Sequence, residues 1–429
     1  MQKPILFLAV VGTGLAAFAA YPKISNVRLA QDSGRVVTVT YDLADADAVV
    51  TADVLTNGVS IGEVNFTNLT GDVNCRVAAG TDRVLRWKPW ESWPDQRLDA
   101  GTLKVRLRAW NVADPPDYHV TDLATGAIRY YVSTNAFPGG FWDPQYRTTK
   151  LVMKKISAAM KPFIMGAPSY EIGWADRQKQ HKALLTNDFY IGVFEFTQGQ
   201  WMTLCKSKSA RYLTNGTSTD AFNFDNTENA ALKPVNHVSN YMLRGDSANA
   251  LGLPASHAVD DWSLFGKLRA LAGQSLTDGF AFDLPSEMEW EFACRAESTL
   301  ALPNNLKLTD ATTCPNVSLI GFYAGNGGTS ATGPRPVGEF LPNGYGLYDM
   351  IGNVAEFCRD WFLWDVSGVA EVDYQGPTQS GAHDKSRIPA RGGQYTSAAS
   401  SCKCAWRVCP FANQTADWVY GFRVSLRLP

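Results

Sequence analysis

The sequence predicts an α+β chain in two parts, a small all-β unit followed by a larger one with little regular secondary structure. Two observations carry this. Between residues 21 and 135, apolar and polar residues alternate with period two, as strands with one wet face require. Beyond about residue 150, capping signals for short helices are separated by long irregular stretches dense in Gly, Asn, Trp and Tyr. The 429 residues are enough for two or three domains.

Residues 1–20, MQKPILFLAVVGTGLAAFAA, read as a secretory signal. Lys3 supplies the positive end, Pro4 to Phe18 the apolar run, and Ala17-Phe18-Ala19 the small-x-small cleavage site. The run is short for a membrane span and holds two glycines, so cleavage is expected, leaving no transmembrane segment. The expected location is secreted, periplasmic or otherwise in the cell envelope, where disulfides persist. Lys plus Arg (39) nearly balances Asp plus Glu (41), without a basic stripe, which argues against nucleic acid as a partner.

The first unit, 21–135, is expected to be an immunoglobulin-like sandwich. Val37, Val39 and Tyr41 share a face against Thr38 and Thr40. Leu103, Val105, Leu107 and Ala109 alternate with Lys104, Arg106 and Arg108. Asn57-Gly58 between extended runs signals a hairpin. Residues 136–150, rich in Gly, Pro and polar side chains, read as a linker. In the second unit, 151–429, Thr197 with Gln200 and Ser286 with Glu289 form capping-box patterns. Trp262, Phe265 and Leu268 mark a helical stripe that stops at Gly273.

Three of the eight cysteines, Cys402, Cys404 and Cys409, crowd into "RGGQYTSAASSCKCAWRVCP". The cluster suits a soft-metal site, a redox centre or structural disulfides to Cys294 or Cys358, the last being favoured in an exported protein. Glu195, inside the apolar run "GVFEFTQGQW", reads as a structural carboxylate accepting backbone donors. Arg391, Arg407 and Arg423, set among glycines and aromatics, suit forked bonds to carboxylates and carbonyls. Asp349 and Glu356 are hard oxygen donors around Gly352, the mixed kind of set calcium takes, though a solvated turn would look the same.

"PFIMGAP", "LTNDFYIGVFEFTQGQW", "KPVNHVSN", "FDLPSEMEWEFACRA", "PNGYGLYDMIGNVAEFCRDWF", "ARGGQY" and "GFRVSLRL" occur in this order. Together they resemble the formylglycine-generating enzyme (sulfatase-modifying factor) family over residues 151–429. The resemblance implies a compact mixed domain related to the C-type lectin fold. It also implies calcium held by the side chains of Asp349 and Glu356 and the carbonyls of Gly352 and Val354. Active members oxidise a substrate cysteine with oxygen, using two cysteines five residues apart that bind copper(I). On this alignment the second is Cys402 and the first falls on Ser397. Gln394 stands where a serine is usual, and Ser401 replaces an aromatic before Cys402. Relatives with iron chemistry need a histidine triad, whereas His119, His181, His237, His257 and His383 are scattered.

The expectation is therefore a recognition protein. Gln394, Tyr395, Trp406 and Arg407 would line a groove for an exported peptide, protein or glycan. The alternative is a copper- and oxygen-dependent formylglycine-generating oxidoreductase using Cys402 with an atypical partner.

Overall fold

A computed structural model describes residues 21–94, 102–206, 229–245, 258–274, 281–366, 368–369, 371–377, 387–411 and 419–428. The signal segment 1–20, His257 and His383 lie outside the described residues. Among these residues, no helix is long and apolar enough to cross a membrane.

In the N-terminal part, strands Lys23–Gln31, Val37–Ala44, Gly80–Trp87 and Thr70–Gly71 form one antiparallel sheet. Strand Ala48–Thr56 pairs with Val59–Ser60, Cys75–Val77 and Leu103–Asn111 in a second. The alternation read from the sequence is the burial pattern: Val37, Val39, Tyr41 and Leu43 are buried while the residues between them are half-covered. One core takes Val39, Leu85 and Trp87 from the first sheet and Val54 and Leu107 from the second. Asn57 and Gly58 both have positive φ (51° and 81°), which closes the two-residue hairpin in the primed-turn geometry that matches strand twist.

The chain leaves this part earlier than its composition suggests. Tyr118–Asp122 and Ile128–Tyr131, inside the expected 21–135 unit, join a five-stranded sheet with Lys150–Ile156, Phe189–Gly192 and Ser425–Arg427. The physical reason is burial on both faces. Val120 packs with Phe137 and Phe194, while His119 on the opposite face meets Tyr190 and Phe282. A strand covered on both sides belongs in the interior of a layered domain.

Helices flanking this sheet include Gln198–Cys205, Asn240–Arg244, Leu264–Leu271 and Glu287–Arg295. Both capping boxes form, Thr197 with Gln200 and Ser286 with Glu289. Every residue of Glu287–Arg295 is buried, so its three glutamates and its arginine must find partners inside the protein. A second small sheet, Arg407–Val408, Ala390–Arg391, Ala355–Phe357 and Tyr420–Gly421, gathers the segments that carried the motifs.

Candidate functional site

The small sheet sets the register of the site. Glu356 lies opposite Arg391, which lies opposite Arg407. The chain then turns through Gly392 and Gly393, with φ of 87° and 74°. A Cβ on Gly393 would stand 2.5 Å from the Ser401 carbonyl oxygen and 3.0 Å from the Cys402 Sγ, so only glycine fits over that thiol.

The three clustered cysteines go to three different surroundings. Cys402 ends the turn Ala399–Ser401 and is completely buried. Burial pushes its thiol up to about 12, outweighing the Gln394 and Gly352 backbone contacts that favour thiolate. Cys404 faces Cys294 within hydrogen-bonding reach, and burial raises the Cys294 thiol well above its ordinary value. Cys409 lies partly exposed beside Arg387. All eight cysteines are unpaired, and Cys358, the other expected partner, touches the Glu356 carbonyl. Ser397 is half-buried. Its Oγ accepts from Gln394 N at 3.1 Å and its carbonyl accepts from Ala324 N at 3.0 Å, fixing the loop.

Of the four groove residues, two have surface and two do not. Gln394 and Trp406 are partly exposed, and Trp406 lies 5.0 Å from the Arg177 guanidinium. Tyr395 is 1% exposed and packs with Phe322 and Val419. Arg407 is 4% exposed; it holds both Glu287 oxygens and donates to the carbonyls of Arg177 (2.7 Å) and Leu363 (3.1 Å).

Asp349, Gly352 and Asn353 all have positive φ, which folds the segment into a tight loop over Glu195. Glu195 accepts from Val354 N (3.0 Å) and Asn353 Nδ2 (2.6 Å), the structural role its setting suggested. Glu356 is held by Arg423 through two bonds of 2.6 Å and by Trp290 Nε1 at 2.6 Å. Asp349 accepts from Gly338 N at 2.7 Å. Burial pushes Glu195 well above the usual carboxylate range, with Asp349 and Glu356 adding to the rise. Asp349 is pushed up to about 7, chiefly by burial. Of these three carboxyls only Glu356 is ion-paired with Arg423, whose charge reaches Glu195 and Asp349 through space. No three His, Cys, Asp or Glu side chains converge on a metal position among the described residues. The calcium set expected from the resemblance has two carboxylates, Asp349 and Glu356, and both Glu356 oxygens already accept from Arg423. The two positions aligned with the copper cysteines carry the buried Cys402 thiol and the Ser397 hydroxyl.

Residues 146–428 match the sulfatase-modifying factor enzyme 1-like domain. The chain belongs to that family. It is 36% identical over 132 residues to the formylglycine-generating enzyme of Mus musculus, covering 29% of this chain and 34% of that protein. It is 33% identical over 153 residues to the formylglycine-generating enzyme of Thermomonospora curvata, covering 33% and 48%. The chain thus spans about a third to a half of the length of these curated relatives. Among solved structures it resembles PvdO from Pseudomonas aeruginosa, at 18% identity and a TM-score of 0.49 over 65% of this chain and 95% of that one.

The motifs did not reveal which acids the arginines of this family domain would meet. Arg391 reaches Glu291 and Glu287, Arg407 reaches Glu287, and Arg423 reaches Glu356. Each pair joins residues more than sixty positions apart, so only the forked-bond tendency of arginine was readable beforehand.

Proposed function

We propose that this family member is an exported recognition protein in which the position of copper chemistry has become structural. The observation that supports it best is the sealing of Cys402 beneath Gly393, with an oxygen at Ser397 tied to its own loop. A thiol this buried and this weakly acidic is a poor nucleophile and a poor copper(I) ligand. Ligand contact would use the exposed parts of Gln394 and Trp406, with Tyr395 and Arg407 as the rigid base beneath. Its ligand is an exported peptide, protein or glycan, and the N-terminal part acts as an immunoglobulin-like spacer. Calcium would be held by Asp349, Glu356 and the carbonyls of Gly352 and Val354, stiffening the loop next to the Gly392-Gly393 turn.

The identity to named formylglycine-generating enzymes favours a second reading, an oxygen-dependent oxidase acting on a sulfatase cysteine through Cys402. Copper(I) titration of the reduced protein separates the two. The recognition reading expects no stoichiometric tight binding and no oxygen uptake with a sulfatase-derived cysteine peptide. Tight binding lost in Cys402→Ala, together with turnover, would establish the oxidase instead.

A further inference from the structure

Away from the Cys402 region, a groove of about 460 Å³ runs along strand Lys161–Met165. Among the described residues this strand pairs on one side only, with His181–Leu185. The orientation of its free edge follows from the register. Leu184 N donates away from the pair, to the Glu371 carbonyl at 2.7 Å. Its opposite residue, Pro162, therefore sits in a non-hydrogen-bonded position, and by alternation so does Ile164 opposite Lys182. The Pro162 carbonyl and both the N–H and the carbonyl of Ile164 thus point to the open edge. Both side chains are exposed, Ile164 by 49%.

The opposite wall is the end of helix Glu287–Arg295 with the segment after it. Phe292 packs edge-on to Phe163 at 5.2 Å, and Tyr345 lies tilted against Phe292 at 6.2 Å, making an aromatic floor. At the rim stand Lys161, with no ion pair among the described residues, and Glu297, whose carboxylate is 3.5 Å from the Tyr345 hydroxyl. An open edge with one donor and two acceptors, an aromatic floor and one charge of each sign are the parts from which β-strand addition is built. Pro162 limits such pairing to three main-chain bonds, which discourages extended self-pairing without closing the edge.

We propose that this groove takes an extended peptide as an added strand. Its backbone pairs with Ile164 and Pro162, an aromatic or large aliphatic side chain enters the Phe163–Phe292–Tyr345 floor, and an acidic and a basic residue face Lys161 and Glu297. This site is separate from the Gln394–Trp406 surface and does not depend on it.

The test uses the full chain and two fluorescein-labelled heptapeptides, Ser-Asp-Val-Phe-Val-Lys-Ser and its charge-reversed form Ser-Lys-Val-Phe-Val-Asp-Ser, read by anisotropy. Saturable binding of at least one is expected, on the order of 10–100 μM for so few main-chain bonds. Ile164→Pro removes the edge donor without touching the existing ladder, and should weaken binding at least tenfold with the melting temperature kept. Phe163→Ala should weaken it similarly, and the double change Lys161→Glu with Glu297→Lys should exchange the preference between the peptides. No saturation with either peptide at millimolar concentration overturns the proposal, as does undiminished binding to Ile164→Pro or of a backbone N-methylated peptide. So does a sedimentation dimer abolished by Ile164→Pro, which would assign the edge to a second copy of the chain.

Discussion

Replacing Glu291 by glutamine tests whether the buried ion network holds the second domain together. Glu291 is fully buried on helix Glu287–Arg295. One oxygen accepts from Arg295 at 2.6 and 2.8 Å and from Gly166 N at 2.8 Å, while the other meets Arg391. Glutamine keeps the shape, deletes the charge, and turns an amide group toward a guanidinium. Removing one partner of a buried pair typically costs about 3–5 kcal/mol, because the charge left behind stays desolvated. Here Arg391 retains Glu287 at 3.4 Å and the Cys404 carbonyl, and Arg295 retains the Gly166 carbonyl at 2.6 Å. The loss should thus fall near the lower end, ~3 kcal/mol. For a domain of this size that corresponds to a fall of roughly 5 °C in melting temperature. Paired urea titrations of wild type and Glu291→Gln, followed by tryptophan fluorescence, measure it directly. Burial alone would raise the Glu291 carboxyl, but Arg295, Arg391 and Gly166 N more than reverse this and hold it below the usual range. Its contribution is therefore complete above the unfolded value near 4.5 and fades as pH falls through the lower folded value. A loss under about 1 kcal/mol at pH 7 would refute the reasoning, since it would mean the two arginines are satisfied without the carboxylate.

Burial holds His119 at about 4, against 6.5 for the free group. The unfolded chain therefore takes up a proton between those values that the folded chain refuses. Stability should drop by up to ~3 kcal/mol as pH falls across that window, and His119→Phe should flatten this part of a urea-midpoint profile. Oxidation should join Cys294 to Cys404, closing a loop of roughly 110 residues and adding on the order of 4–5 kcal/mol. Peptide mapping of unreduced protein checks the link, and finding Cys402 in it instead would contradict the placement. Calcium at millimolar concentration should raise the melting temperature of the wild type and leave Asp349→Ala unmoved, with isothermal calorimetry giving one site per chain. An absence of both signals removes calcium from this loop.

Local rules were legible in the sequence wherever the physics is local. Thr197 and Gln200, Ser286 and Glu289, and Asn57-Gly58 each satisfy backbone groups within three or four residues, so their structures follow from neighbouring letters. Glu195 was readable for a similar reason, because a lone acid in an apolar run must accept hydrogen bonds. The strands Tyr118–Asp122 and Ile128–Tyr131 were attributed to the first unit because alternation reports only that a strand has two faces. It does not say that Val120 and His119 would both be buried, against separate cores. Tyr395 and Arg407 illustrate the same limit at the site. Beside glycines and small residues they read as open to ligand, yet partners far along the chain, Val419 and Glu287, cover them. The edge at Ile164 was invisible for the converse reason: what matters there is a neighbour that the strand lacks.

The five-stranded sheet ends on Ser425–Arg427, hydrogen-bonded to Phe189–Gly192 more than two hundred residues upstream. A ribosome therefore delivers Tyr190 long before the segment that completes its layer. Until Ser425–Arg427 emerges, the edge at Phe189–Gly192 stays bare, and a product terminated before it would keep it so. Quality-control proteases should discriminate sharply between molecules that carry Ser425–Arg427 and those truncated before it.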